Sequence, residues 1–139
     1  MQRNCTDLLL PKEALVPCIE KHLKVLKNTS SNNGLRSEWT VLNLYVNRGH
    51  LLAGWRYRNP ICEWDLVFIK ENEMNIVEVK SWVSPEWGVY KISKSQSRRL
   101  GLSLDWAQSN WDSHNVRMHL AFVNPDSGVS FVPDFLAEC

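Results

Sequence analysis

Two acidic residues and one lysine interrupt the most apolar part of the chain. Asp65 lies near the start of one apolar run, and Glu78 and Lys80 lie at the end of the next one. Because side chains alternate along a strand, Glu78 and Lys80 point to the same face of the second run. Burying such groups is unfavourable unless they are paired or bind a metal ion. Their types and spacing therefore indicate a catalytic centre or an interior cluster of ion pairs.

Metal-assisted hydrolysis of a phosphodiester is the chemistry that this set of groups could perform. The reaction needs a hard cation that polarises the phosphate and lowers the pKa of an attacking water. Mg²⁺ or Mn²⁺ takes oxygen ligands and keeps several waters, so two or three carboxylates are enough. We predict Asp65, Glu78 and the backbone carbonyl of Val79 as ligands. Lys80 would orient the nucleophile or offset charge that develops in the transition state. In the alternative, Lys80 only neutralises the two carboxylates.

A third acidic candidate, Glu38, lies on the apolar stripe of a predicted helix that runs from about residue 35 to 48. That inward stripe consists of Leu35, Glu38, Leu42 and Tyr45. We expect Glu38 to be directed at the same centre as Asp65 and Glu78, where it would bind a second ion or orient a water. A solvated glutamate favoured by the dipole of the first helical turn is the alternative.

The remaining pattern predicts an α/β domain with the order helix, three strands, helix, two strands. Gly49 ends the first helix. The later predicted elements are a strand at 51–58, hairpin strands at 64–69 and 75–80 around a charged turn at 70–73, a helix at 93–111, and strands at 117–123 and 129–132. The second helix has Leu100, Leu104, Ala107 and Trp111 as its apolar stripe. The segment 81–90, with Trp82 and Trp87, is predicted to be an aromatic loop.

Two groups of polar and cationic residues are candidates for binding phosphate groups of a nucleic acid. On the first strand, Arg56 and Arg58 should share one face and Trp55 and Tyr57 the other. The second helix begins with a short cationic cluster, and its candidate residues are Lys94, Gln96, Arg98 and Arg99. Such cations grip phosphate well, especially at a helix start. An exposed sheet face and a solvated charge run are the respective alternatives.

The composition is that of one ordinary globular domain, with 139 residues. Its net charge of +1 excludes an overall basic field, so a nucleic-acid surface must be a local patch. Its four cysteines form no C-x-x-C pair, which favours free thiols in a reducing cytoplasm. No apolar stretch is long enough for a membrane span, so we expect no membrane partner. The seven tryptophans are more typical of a core than of base-stacking surfaces.

Residues 1–33 are predicted to be an accessory segment with a short helix at 18–27 and a polar loop at 28–34, and residues 34–139 to be the main domain. Pro11 and Pro17 should prevent a longer helix. Cys18 and His22 are four residues apart and would share a helical face, as two ligands of a soft metal do. No second pair is present in the sequence, whereas structural zinc sites generally have four ligands.

The motifs together resemble the PD-(D/E)XK nuclease superfamily, and more narrowly the bacterial YraN-like proteins, whose function is mostly unassigned. The resemblance covers roughly residues 34–135, and it rests on Ser37-Glu38, Gly49, Trp55-Arg56-Tyr57-Arg58, Cys62-Glu63-Trp64-Asp65-Leu66 and Val77-Glu78-Val79-Lys80. Three positions depart from the family pattern. Cys62 replaces a usual Gly, Trp64 replaces Ile or Leu, and His119 lies where Asp is frequent in a late strand.

This resemblance implies a restriction-endonuclease-like α/β fold, with an αβββαβ core and a central mixed sheet flanked by helices. It also implies a metal-dependent nuclease, acting on DNA rather than RNA, with Glu38, Asp65, Glu78 and Lys80 as catalytic residues and Mg²⁺ or Mn²⁺ as cofactor. The alternative is a non-catalytic module that keeps the fold and binds nucleic acid or a protein. The oligomeric state stays open, with a dimer among the alternatives.

Overall fold

Five strands form a single mixed sheet in the computed structural model, which describes residues 12–28, 33–81, 92–126 and 128–136. The elements are α1 (Lys12–Asn28), α2 (Asn33–Asn47), β1 (Leu51–Arg58), β2 (Glu63–Lys70), β3 (Glu73–Ser81), α3 (Lys94–Asn110), β4 (Asn115–Val123) and β5 (Val129–Val132). The strand order is β1-β2-β3-β4-β5; β3 and β4 are parallel, and the other neighbours are antiparallel. The predicted restriction-endonuclease-like α/β core is thus confirmed.

The predicted hairpin is present as β2 and β3, joined by a two-residue turn. Lys70 pairs with Glu73 beside this turn, and the pairing between the strands ends at Leu66 and Val77. Beyond that point β2 continues to pair with β1, and β3 continues to pair with β4. β2 and β3 therefore diverge at one end of the sheet. Asp65 immediately precedes the last paired residue of β2, and Glu78 immediately follows the last paired residue of β3.

Each face of the sheet is covered by its own apolar core. The α3 face contains Ile76, and the face covered by α1 and α2 contains Val77 with Val79 packed against it. The alternation predicted for β3 is therefore confirmed. The predicted stripes of α2 and α3 are also confirmed, because their apolar members lie in these two cores: Leu35, Leu42 and Tyr45 under α2, and Leu100, Leu104, Ala107 and Trp111 under α3.

The prediction that Trp55 and Tyr57 share a face of β1 was wrong. Trp55 packs into the core under α2, whereas Tyr57 packs on the α3 face, where its ring stacks on Trp64. Two irregularities change the alternation: the register shifts between Leu52 and Gly54, and Arg56 has a left-handed backbone with a φ of 52°. As a result, neighbouring residues Trp55 and Arg56 both direct their side chains towards α2.

The first helix is longer than the sequence indicated, because it begins at Lys12 and contains Pro17. Proline lacks a backbone N–H and forfeits one helical hydrogen bond, so packing must hold this helix together. Leu15 is buried, and Cys18 and Ile19 pack against the core under α2. Residues 1–11 and the predicted aromatic loop with Trp82 and Trp87 lie outside the described ranges. No described helix is long and apolar enough to cross a membrane.

Among the tryptophans that the structure describes, three are almost fully buried, in line with the expectation of a tryptophan-rich core: Trp55, Trp64 and Trp111. The indole N–H of Trp64 donates to Ser103 Oγ of α3 at 2.9 Å, and Ser103 Oγ donates to the Leu100 carbonyl at 2.7 Å. The bulky residue at position 64, where the related motif has Ile or Leu, is thus accommodated inside the α3 face. It does not project between the diverging strands.

Replacing Ser103 with alanine should lower the free energy of unfolding by about 1–3 kcal/mol, because the buried N–H of Trp64 would lose its acceptor. Ser109→Ala is a suitable control, since Ser109 is exposed on the same helix and donates only to the Asp105 carbonyl. Chemical denaturation of both variants measures the difference. Equal stabilities of the two variants would contradict the importance of this buried hydrogen bond.

Candidate active site

The divergence of β2 and β3 leaves backbone groups without strand partners, and Asp65 satisfies one of them. The Val79 N–H donates to Asp65 Oδ2 at 2.8 Å. Because the N–H and C=O of a residue point to the same side of an extended strand, the Val79 carbonyl is also directed to the Asp65 side. Asp65 therefore holds the end of β3 against β2, and its carboxylate oxygens lie on the same side as the Val79 carbonyl oxygen.

Glu78 lies beside Asp65 and is only 4% exposed. Its Oε2 atom is buried and has no hydrogen-bond partner within the described ranges. Burial raises the pKa of Glu78 well above the ordinary range, and the charge and hydrogen bonding of the neighbouring Asp65 carboxyl raise this pKa further. The Lys80 ammonium opposes this shift. Without a cation, the fold therefore favours a protonated Glu78.

Glu38 also reaches this end of the sheet, but β1 engages both of its oxygen atoms. Oε1 accepts from Trp55 Nε1 at 2.8 Å and from Arg56 Nε at 2.9 Å, and Oε2 accepts from Arg56 Nη2 at 3.0 Å. Burial raises the pKa of Glu38, and the bonds to Arg56 and Trp55 oppose that shift. The charge of Asp65 also raises the pKa of Glu38, so these carboxyls lie near each other.

Lys80 extends from β3 towards the start of α3, where its Nζ donates to Gln96 Oε1 at 3.1 Å. Ser93 caps this helix by accepting from the Gln96 N–H at 3.1 Å. Among the described residues, no acidic side chain forms a salt bridge with Lys80. The lysine is therefore held by a neutral amide of α3, and Glu78 lies two residues before it on β3.

The predicted cationic cluster lies in the first turns of the same helix. Lys94 and Arg98 line a shallow groove together with Ser97 and Gly101. Arg99 is exposed but does not line the groove, and Arg58 is exposed at the C-terminal end of β1, where it pairs with Glu63. The structure thus brings Gln96 to Lys80, places Lys94 and Arg98 together in the groove, commits Arg56 to Glu38, and leaves Arg58 and Arg99 outside the groove.

The arrangement of oxygen atoms fits one hard divalent cation. The unpartnered Oε2 of Glu78 and the remaining oxygen of Asp65 come from neighbouring strands, and Mg²⁺ needs only one or two protein carboxylates. Within the described ranges, no three residues among His, Cys, Asp and Glu converge as a metal-binding group. Glu38 in particular is held by Arg56. The site therefore presents two carboxylates rather than three.

Cys18 and His22 do share a helical face, with Cys18 Sγ 3.6 Å from His22 Nδ1. The His22 ring lies against Trp55, with their ring centroids 4.6 Å apart, and Cys18 and Cys62 are free thiols. No third His, Cys, Asp or Glu joins this pair in the part of the chain that the structure describes. The pair therefore packs against the Trp55 ring that contacts Glu38.

A second polar region lies at the opposite end of β3 and β4, around a cavity of about 310 Å³. His119, one of the departures from the family pattern, accepts from the Asp134 N–H at 3.0 Å through Nδ1. Its Nε2 therefore carries the proton and donates to Asn75 Oδ1 at 2.9 Å. Arg117 Nε donates to Asp134 at 3.1 Å. His119 thus stabilises the sheet and the chain after β5. It pairs with Val77 of β3, and its ring contacts Asn75 and the Asp134 backbone rather than the acidic pair.

Sequence reasoning missed the roles of Trp55 and of two serines. Nothing in the alternation of β1 indicated that Trp55 would donate to Glu38, because that contact depends on the irregular backbone at Arg56. Ser37 and Ser81 contact each other through their hydroxyls at 2.9 Å and join the start of α2 to the end of β3. The only sequence feature that could have indicated a role for Ser37 was its position directly before Glu38.

The fold and the acidic site define a protein with a restriction-endonuclease-like core. A UPF0102 protein of Roseobacter denitrificans is 36% identical over 108 residues, which cover 76% of this chain and 84% of that protein. A UPF0102 protein of Rhizobium meliloti is 27% identical over 117 residues, covering 82% and 92% respectively. A third, of Parasynechococcus marenigrum, is 34% identical over 74 residues, covering 51% and 53%. No family model matches the chain. The chain belongs to the UPF0102, or YraN, family.

Replacing Glu78 with glutamine should change how stability depends on pH. The folded-state pKa of Glu78 lies above its ordinary value of 4.5, so the folded protein retains a proton that the unfolded chain has already released. The free energy of unfolding of the wild type therefore decreases as pH rises from the unfolded pKa to the folded pKa. Glu78→Gln removes this decrease, so the variant should gain stability relative to wild type above pH ~5.

Denaturant titrations at several pH values, in the presence of a chelator, measure this difference. Glu71→Gln in the exposed β2–β3 turn controls for the loss of one acidic side chain. A stability difference between Glu78→Gln and wild type that is the same at every pH would show that Glu78 titrates equally in both states.

Proposed function

We propose that this protein is a metal-dependent nuclease that hydrolyses phosphodiester bonds of nucleic acid. The observation that carries the proposal is the acidic pair at the divergence of β2 and β3, where a buried oxygen of Glu78 lacks a partner beside Asp65. Like-charged groups at a buried position are costly, and a divalent cation offsets that cost. Lys80 on the same face supplies the third chemical group that hydrolysis uses.

In this mechanism Asp65, Glu78 and the Val79 carbonyl hold Mg²⁺ or Mn²⁺. The ion supplies charge that polarises the phosphate and lowers the pKa of an attacking water. Gln96 keeps the Lys80 ammonium between the acidic pair and the start of α3. From there Lys80 orients the water and offsets the negative charge that grows on the phosphate oxygens in the transition state.

The groove at the start of α3 is a suitable path for the nucleic-acid backbone. Lys94 and Arg98 line it, and Gln96, which lies between them in the sequence, contacts Lys80. Cations in the first turns of a helix are unfavourable next to the positive end of the helix dipole, and a bound phosphate removes that cost. We favour DNA as the substrate because of the family resemblance, and a substrate panel should include RNA.

A non-catalytic module that binds nucleic acid is the second candidate. Two observations favour it: Lys80 bonds with Gln96 rather than with the acidic pair, and the described residues include no group of three metal ligands. Against it, Trp64 does not occupy the space between the diverging strands, because its ring packs under α3. Incubating labelled duplexes, junctions, flaps, single strands and RNA with Mg²⁺ or Mn²⁺ separates the candidates, with Glu78→Ala as the inactive control. Wild-type binding without cleavage of any substrate would favour the module.

Removing the Lys80 amine should lower kcat by about 10²-fold or more while nucleic acid and metal remain bound. Because Lys80 has no salt bridge with a described carboxylate, Lys80→Ala should change the melting temperature only slightly. Lys70→Ala, at the other end of the hairpin, is the matched control. A Lys80→Ala protein that cleaves at the wild-type rate, or one that melts many degrees lower, would contradict this role.

The groove can be tested at Gly101, because a Cβ added there meets no atom within 4 Å. Gly101→Glu places a negative side chain between the groove and the phosphates and should weaken nucleic-acid binding. Gly101→Gln has nearly the same size without the charge and should weaken binding less. Both should stabilise α3 by about 0.5–1 kcal/mol, since glycine is unfavourable inside a helix. Equal affinities of both variants and wild type, measured by fluorescence anisotropy, would exclude this path.

A further inference from the structure

Glu38 and Arg56 form a bidentate salt bridge at the edge of the acidic site. Both oxygen atoms of Glu38 accept hydrogen bonds from β1, at 2.8 to 3.0 Å, and its side chain is only 6% exposed. An ion that used Glu38 as a ligand would compete with a bidentate guanidinium, which is the strongest partner of a carboxylate among side chains. Glu38 therefore has its charge balanced without a metal.

Arg56 retains unused donors in this pair. A guanidinium has five N–H groups in a planar fork. Glu38 accepts from Nε and Nη2, and 34% of the Arg56 side chain is still exposed. The charges of Asp65 and Glu63 act on Arg56, so the guanidinium lies near Asp65 as well as Glu38. Its unused N–H groups are therefore available to a phosphate bound beside Asp65.

An irregular backbone conformation in β1 allows Arg56 to reach Glu38. Arg56 has a φ of 52°, a conformation that residues with a Cβ rarely adopt inside a strand. This conformation turns Arg56 to the same side as Trp55, and the Trp55 indole donates to the Glu38 oxygen that also binds Arg56 Nε. A regular strand would place the two side chains on opposite faces. The irregularity therefore assembles one unit from Trp55, Arg56 and Glu38.

We infer that Arg56 contacts a phosphate oxygen of the nucleic acid as the second positive charge of the site, and that Glu38 and Trp55 are positioning residues that hold its guanidinium in place. The site then binds one divalent ion per chain, at Asp65 and Glu78, and Glu38 is not a metal ligand. This inference rests on the proposed nuclease function. It differs from the sequence-based expectation, in which Glu38 binds a second ion.

Four variants test this assignment: Glu38→Gln, Arg56→Gln, the double variant that carries both changes, and Arg48→Gln. Arg48 is an exposed arginine at the other end of α2, so its variant controls for the loss of one positive charge. Arg56→Gln alone leaves the buried charge of Glu38 without its partner and is expected to fold poorly. The double variant removes both charges together, so it tests the function of Arg56 in a protein without an uncompensated charge.

Calorimetric titration with Mn²⁺ should give one ion per chain for wild type and for Glu38→Gln, with dissociation constants within about twofold, and no binding for Glu78→Gln. In cleavage assays Glu38→Gln should lower kcat with little change in KM, because a loosely held guanidinium still binds the phosphate. The double variant should lose about one phosphate contact in the salt dependence of nucleic-acid binding and should cleave about 10²-fold or more slowly. Arg48→Gln should match wild type in all three assays.

Two results would overturn the inference while leaving the nuclease function intact. One is loss of Mn²⁺ binding in Glu38→Gln, which would make Glu38 a metal ligand. The other is a double variant that binds and cleaves nucleic acid as wild type does, which would reduce the pair to a structural contact. A wild-type protein that binds no Mn²⁺ and cleaves no substrate would instead overturn the proposed function, and this assignment with it.

Discussion

The hydrogen bond from the Val79 N–H to Asp65 is the interaction on which the rest of the site depends. Two central strands of a sheet can separate only if the backbone groups that they expose find other partners. A carboxylate on β2 meets this requirement for β3 and, in doing so, brings its own negative charge next to Glu78. The same contact therefore allows the two strands to separate and places two carboxyl groups close enough to repel each other when both are ionised. A bound cation would reduce that repulsion.

Glu38 and Glu78, two further acidic residues at this end of the sheet, are stabilised in different ways. Glu38 has Arg56 and Trp55 as partners, so it stays buried with its charge balanced within the protein. Glu78 has an unpartnered oxygen and a raised pKa, so its ionised form depends on something outside the protein. Burial acts on both carboxyls in the same direction, and only the supply of donors distinguishes them. This difference in donors is why we propose Glu78, and not Glu38, as a ligand of the cation.

Much of this arrangement could be predicted from the sequence, because it follows from simple periodicities. The hairpin, the stripes of α2 and α3, and the shared face of Glu78 and Lys80 depend on spacings of two or of three and four residues, which the structure keeps. The faces of β1 could not be predicted, because one left-handed residue, Arg56, changes the alternation. The length of α1 was also missed, since packing against the core outweighs the local cost of Pro17.

The parallel pairing of β3 with β4 sets the order in which the site can assemble during folding. β2 and β3 are neighbours in sequence, so their hairpin closes a short loop and can form early. β4 follows α3 in the chain, and its pairing with β3 joins residues as distant as Glu73 and Asn115. Asp65 and Glu78 can therefore meet before the contact between Lys80 and Gln96 exists. Nascent chains would then carry the acidic pair before Gln96 lies beside Lys80.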